Sequence, residues 1–283
     1  MLINEQIKEL IDDAAHHIRE EGFQTKVKDK GYMKPRLVYD GVVDEKYDGI
    51  VYLLKEATEA GATKLRKEID TELKNKTKNK VNQYEEISGE LIPNTNHLES
   101  WDFISTTRRK AKAQGRNTTE WKSLCFWTEA LLNPETTYKN AEMCGENLLK
   151  VAIVNIKKTT GEGTSENAPI DAIINDEADE SNYGLLIKKE IALINSHFKK
   201  IRIVICGGTF KWAQNLYQVK PNNVKPLDCG ARYFYEPSLR TIFLEFIHPT
   251  QYGTVAKVEI TYAYAQAVFA ELRRREPSVK GNP

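Results

Sequence analysis

The sequence contains no C-x-x-C pair; Cys125, Cys144, Cys206 and Cys229 stand far apart. That weakens the zinc-ribbon and dithiol-redox readings and makes reduced, partly buried thiols the expectation. No apolar run approaches the roughly 20 residues needed to span a bilayer. The start, Met1-Leu2-Ile3-Asn4-Glu5, has no basic stretch leading into an apolar one, so no signal peptide is read and a cytoplasmic location is expected. An excess of one charge is missing too. The 41 lysines and arginines stand against 40 aspartates and glutamates, for a net charge of +1. Binding to nucleic acid would therefore need a local basic face. Also absent are G-x-S-x-G and H-E-x-x-H, and neither Gly161-Glu162-Gly163 nor Gly207-Gly208 completes G-x-G-x-x-G or G-x-x-x-x-G-K-[ST], which ranks an unrelated doubly wound enzyme holding phosphate on those glycines last among the readings.

What the chain does have is a rhythm of short apolar runs and helical stretches. Ile3, Ile7, Leu10, Ile11, Ala14 and Ile18 recur at helical spacing, with Gly22 where a helix would stop. Four runs suit buried parallel strands: residues 49–54, 151–154, 201–205 and 242–247. Between the second and third, residues 183–198 place Leu186, Ile187, Ile191 and Ile194 on one helical face. After the fourth, Val258, Tyr262, Ala265, Phe269 and Leu272 mark a C-terminal helix ending in three arginines. Strands alternating with helices predict an α/β chain. The expected architecture is three-layer, with a central four-stranded, mostly parallel sheet flanked by helices.

One stretch breaks this rhythm. Residues about 62–122 hold Lys74, Lys76, Lys78 and Lys80, and later Arg108, Arg109 and Lys110. They read as a basic insertion into a single domain spanning 1–283, either a solvated surface or a phosphate-contacting one.

Ligands of open α/β sheets bind beyond the carboxyl ends of the strands. The first strand leads into Lys55-Glu56-Ala57-Thr58-Glu59. The second leads into Asn155-Ile156-Lys157-Lys158, the third into Cys206-Gly207-Gly208-Thr209, and the fourth into His248-Pro249-Thr250-Gln251-Tyr252. A carboxylate, an amide, a glycine pair and a histidine thus converge on one rim. Each has a structural explanation as well: a solvated glutamate, a turn-capping Asn155, glycines for close helix packing, a structural histidine. Together and in this order they point to chemistry.

The set Leu53-Leu54-Lys55-Glu56, Val154-Asn155-Ile156-Lys157-Lys158 and Ile247-His248-Pro249-Thr250 resembles the uracil-DNA glycosylase superfamily, in particular its divergent bacterial members. The resemblance covers roughly residues 38–272, without the insertion. It implies that Glu56 orients the attacking water, Asn155 reads the flipped base, and His248 donates a hydrogen bond to the departing base. Ala57 and Glu59 would line the base pocket. Lys157, Lys158, Gly207, Gly208, Thr250, Gln251 and Tyr252 would meet DNA, with Arg108, Arg109, Lys74 and Lys76 contributing from the insertion. Lys55 and Thr58 stand where the superfamily often has Gly and Pro. The cysteine spacing does not suit the superfamily's iron–sulfur branch. DNA is the implied partner, with no membrane, no obligate protein partner, no metal and no cofactor. The alternative is a non-catalytic reader of modified DNA, or a nucleotide-binding module, on the same fold.

Overall fold

The computed structural model of the chain describes residues 3, 5–7, 9–11, 13, 25–27, 31–33, 41–42, 47–58, 119–138, 147, 150–161, 183–198, 201–249 and 255–276. Its centre is the parallel quartet that the apolar runs predict. Strand β4 (Ile50–Thr58) lies between β5 (Val151–Gly161) and β6 (Ile203–Gly207), and β9 (Thr241–Phe246) flanks β6. All three pairings are parallel.

The sheet is nevertheless wider than the expected four strands. It has seven, in the order β3-β5-β4-β6-β9-β8-β7. The additions are β3 (Gly41–Val42), β8 (Arg232–Glu236) and β7 (Lys225–Pro226), each antiparallel to its neighbour. A separate two-stranded pair joins β1 (Thr25–Val27) to β2 (Gly31–Met33). The outermost strand, β7, is two residues long and contains a lysine and a proline, both of which discourage strand addition at an open edge.

Side chains alternate between two cores. Val51, Leu53, Val204 and Phe243 face one side, where the N-terminal helical residues Ile3, Ile7 and Ile11 pack beside α2 (Tyr183–Phe198) and α3 (Phe210–Leu216). Ile50, Tyr52, Leu54, Ile205 and Leu244 face the other side, against α1 (Thr119–Leu132) and α4 (Val255–Arg275). The chain is thus layered helix–sheet–helix. Helix α1 begins at Thr119, so the last residues of the stretch read as an insertion form the start of that helix.

The crossovers explain which helix lies where. From β4 the chain crosses to β5 through α1, then returns past β4 to β6 through α2. Opposite directions of travel at constant handedness place the two helices on opposite faces. The amino ends of β4 and β6 are clamped by Arg202, whose guanidinium donates to the Asp48 carbonyl at 2.8 and 2.6 Å. Gly49 adopts φ +74° beside it, and a Cβ there would come within 2.9 Å of Arg202 Cγ.

Candidate active site

Connections leave β4 and β6 in opposite directions, which makes their carboxyl ends the switch point of the sheet. That is the expected ligand position in such a sheet. A row of residues crosses the sheet just beneath it. Asn155 pairs with Leu54, and Gly207 pairs with Phe246. Leu54 lies over Gly207, where a Cβ would fall 2.8 Å from Leu54 Cδ2. Asn155 shares the strand parity of Val151 and Ile153 and points to the α1/α4 side, buried at 4% exposure.

Above this row stands the histidine. Gly208 adopts φ +71°, donates its N–H to the Phe246 carbonyl at 2.9 Å, and lies directly against His248. A Cβ on Gly208 would sit 3.2 Å from His248 Cβ and 3.5 Å from Cδ2. The left-handed turn and the close approach both require glycine here. Gly207 makes the same allowance for Pro249, whose Cδ lies 3.3 Å from the position a Cβ would take. From the other side, the buried Ser123 hydroxyl on α1 donates to the Pro249 carbonyl at 3.0 Å. Thr209 ties the glycine turn to β4, its hydroxyl donating to the Leu53 carbonyl at 2.7 Å. The His-Pro segment is thereby held from two elements, with His248 left half-buried at the rim.

Glu56 is opposite Lys157 on the neighbouring strand. Just beyond, Thr58 pairs with Gly161, so the register slips at Ala57. Such irregularities re-aim a strand and are common beside active sites. For Glu56, Ala57, Lys157 and Lys158 the backbone position alone is described. Glu59, Thr250, Gln251, Tyr252, Lys74, Lys76, Arg108 and Arg109 lie outside the described residues.

Two nearby groups are engaged by their surroundings. Cys206 is fully buried, and desolvation pushes its thiol well above the usual range against the opposing hydrogen bond of Thr209. It stays protonated and is not a nucleophile. Glu245 is engaged by Arg232 in a two-pronged pair at 2.7 and 2.6 Å. On β4, the Lys55 ammonium lies 5.2 Å from the centre of the Trp212 ring on α3. Sequence reading missed the roles of Ser123, Thr209 and Trp212. Thr209 was adjacent to a recognised motif, whereas Ser123 carried no local signal at all.

No family model, curated protein or solved structure matches the chain. The placement of these residues therefore bears on function through its geometry, together with the motifs read in the sequence.

Proposed function

We propose that the protein is a DNA glycosylase that hydrolyses the N-glycosidic bond of a flipped pyrimidine and leaves an abasic site. The observation that carries this reading is the seat of His248, packed against Gly208 and followed by Pro249, which Ser123 holds, at the same sheet end as Asn155 and the end of β4. Cleaving the bond builds oxocarbenium character on the sugar and negative charge on the base. In this reading Glu56 steadies the sugar and orients water toward C1′. Water oxygen bonds to that carbon as the bond to the base nitrogen breaks. His248, pre-positioned as a donor, stabilises the departing base, and Asn155 reads its edge. The roles of Glu56, Asn155 and His248 are those implied by the superfamily resemblance.

A substrate class follows from the loop after β4. In strict uracil enzymes of that superfamily an aromatic ring blocks the pyrimidine 5-position. The corresponding position here is Glu59, flanked by Ala57, Thr58, Ala60 and Gly61. None is a large ring, and a carboxylate suits a hydroxylated 5-substituent. Enlarged, hydroxylated pyrimidines are found mainly in phage DNA, which makes antiphage defence the proposed setting. Among the described residues no helix is long and apolar enough to cross a membrane.

The test is incubation, without added metal, with DNAs carrying uracil, mismatched thymine, 5-hydroxymethylpyrimidine or glycosylated pyrimidine, followed by an assay for abasic sites. Cleavage of the enlarged bases supports both parts. Preference for plain uracil keeps the enzyme and discards the substrate class. Binding without cleavage of any of them replaces the enzyme with a reader of modified DNA.

A further inference from the structure

At the opposite end of the sheet, where β9 begins, two adjoining cavities of about 350 and 400 Å³ form one groove. It runs from α2 across the carboxyl end of α3 to the turn at Pro221–Asn223. Tyr217, Gln218 and Glu236 line both halves. We propose that this groove binds a neutral sugar ring, independently of the strand-end site.

Two adjacent residues point to a ligand, because the free fold is better served by something else at each. The Tyr217 hydroxyl is buried and has no hydrogen-bond partner among the described residues. Its ring packs against Phe243 at 4.8 Å, and the Lys188 ammonium lies over it at 5.6 Å. Phenylalanine would keep that packing without stranding a polar group. Gln218 follows at φ +50°. There it closes α3 in the paired pattern of a left-handed cap: Gln218 N–H reaches the Asn215 carbonyl at 3.1 Å and Val219 N–H reaches that of Gln214 at 2.9 Å. Glycine is the favoured residue at that position. Tyr217 and Gln218 thus depart, side by side in one groove, from the residues the local fold favours, and such departures concentrate at functional sites.

The surrounding groups select the ligand. Glu236 is held in one orientation, its Oε1 accepting from Ser238 N–H at 3.0 Å and from the Ser238 hydroxyl at 2.6 Å. That leaves Oε2 to accept from ligand hydroxyls. The side-chain amides of Gln218, Asn222 and Asn223 have no protein partner among the described residues, and each can donate and accept. Two lysines line the groove: Lys225 is paired with Glu276 at 3.1 Å, and Lys188 balances Glu236, so the groove favours neither an anion nor a cation. A dense mixture of donors and acceptors without net charge matches a polyhydroxylated ring.

The experiment is an NMR titration of the ¹⁵N-labelled full chain with D-glucose, D-ribose and maltose, with ribose 5-phosphate as the charged comparison. The expected result is shifts at the Gln218, Asn223 and Ser238 amides with a neutral sugar. Affinity should be reduced about three- to tenfold in Tyr217→Phe and in Glu236→Gln, the size of one lost hydrogen bond. Tyr217→Phe and Gln218→Gly should unfold at or above the wild-type temperature. Absence of shifts with every neutral sugar, or shifts with ribose 5-phosphate alone, overturns the proposal. So does a lowered unfolding temperature in Tyr217→Phe, which would show that the hydroxyl is already satisfied in the free protein.

Discussion

At the scale of single residues, Gly208 has the least freedom to change. Its left-handed φ and its contact with His248 act together, so Gly208→Ala adds a Cβ that the backbone resists and that presses on the histidine. The backbone term alone is about 1–2 kcal/mol. Thermal unfolding should show a loss of that order, and turnover should fall further than stability explains because His248 is displaced. A variant that lost stability but kept full turnover would separate the histidine from the chemistry. In the proposed reaction, His248→Ala and Glu56→Gln should each lower turnover about 10²–10³-fold while leaving DNA binding nearly unchanged, as loss of one transition-state interaction does. Steady-state kinetics beside a binding titration checks both. The motifs that place these residues could be read directly from the sequence, because glycine pairs and His-Pro turns at strand ends keep their neighbours in register. Ser123 could not. Its partner, the Pro249 carbonyl, is 126 positions away, and a buried serine in a helix has no pattern of its own.

Elements were legible in proportion to how plainly their burial shows as a period. The parallel strands are buried on both faces and read as apolar runs. Helix α2 places its buried residues on one stripe, and residues 183–198 were delimited as observed. Helix α1 is buried from Ser123 through Thr128, so no stripe emerges, and its first residues passed as part of an insertion. Strand β8, Arg-Tyr-Phe-Tyr-Glu, has charged ends and only two buried residues, and β3 and β7 are two residues each, too short for any period. Contacts between elements also make a pH dependence. Glu271 near the end of α4 accepts Asp228 N–H at 2.7 Å and Cys229 N–H at 3.2 Å, and it pairs with Arg275 at 2.6 Å. These backbone donors, foremost that of Asp228, hold its carboxyl below the ordinary range. A depressed folded value stabilises above the unfolded pKa, about 4.3 for glutamate, and that contribution is lost as pH falls through the folded one. Glu271→Gln should therefore unfold earlier than wild type near neutrality, with the gap closing in acid. An equal gap at every pH would assign the effect to packing instead.

At the scale of the whole molecule, a net charge of +1 gives no general attraction for a polyanion. Any affinity for DNA has to be concentrated, and the sequence concentrates cations in one place. Lys74, Lys76, Lys78 and Lys80 alternate with uncharged residues, and Arg108, Arg109 and Lys110 follow one another, all between the first two strands of the parallel quartet. The chain leaves the sheet at the carboxyl end of β4, and α1 returns with Ser123 against Pro249, so the insertion departs from and rejoins the rim that holds His248. A basic segment tethered at both ends to that rim is suited to holding a phosphate backbone across it. If it does so, each duplex phosphate neutralised steepens the fall of log affinity with log salt by about 0.9. Replacing Lys74, Lys76, Arg108 and Arg109 together by alanine should flatten that slope in proportion to the phosphates left without a cation. It should leave the unfolding temperature unchanged, because solvated charges contribute little to folding. Fluorescence anisotropy on a labelled duplex over a range of salt concentrations measures the slope. An unchanged slope would return the segment to a solubilising surface and move the phosphate-binding role to Lys157 and Lys158 on β5, whose double alanine variant would then be the one to flatten it.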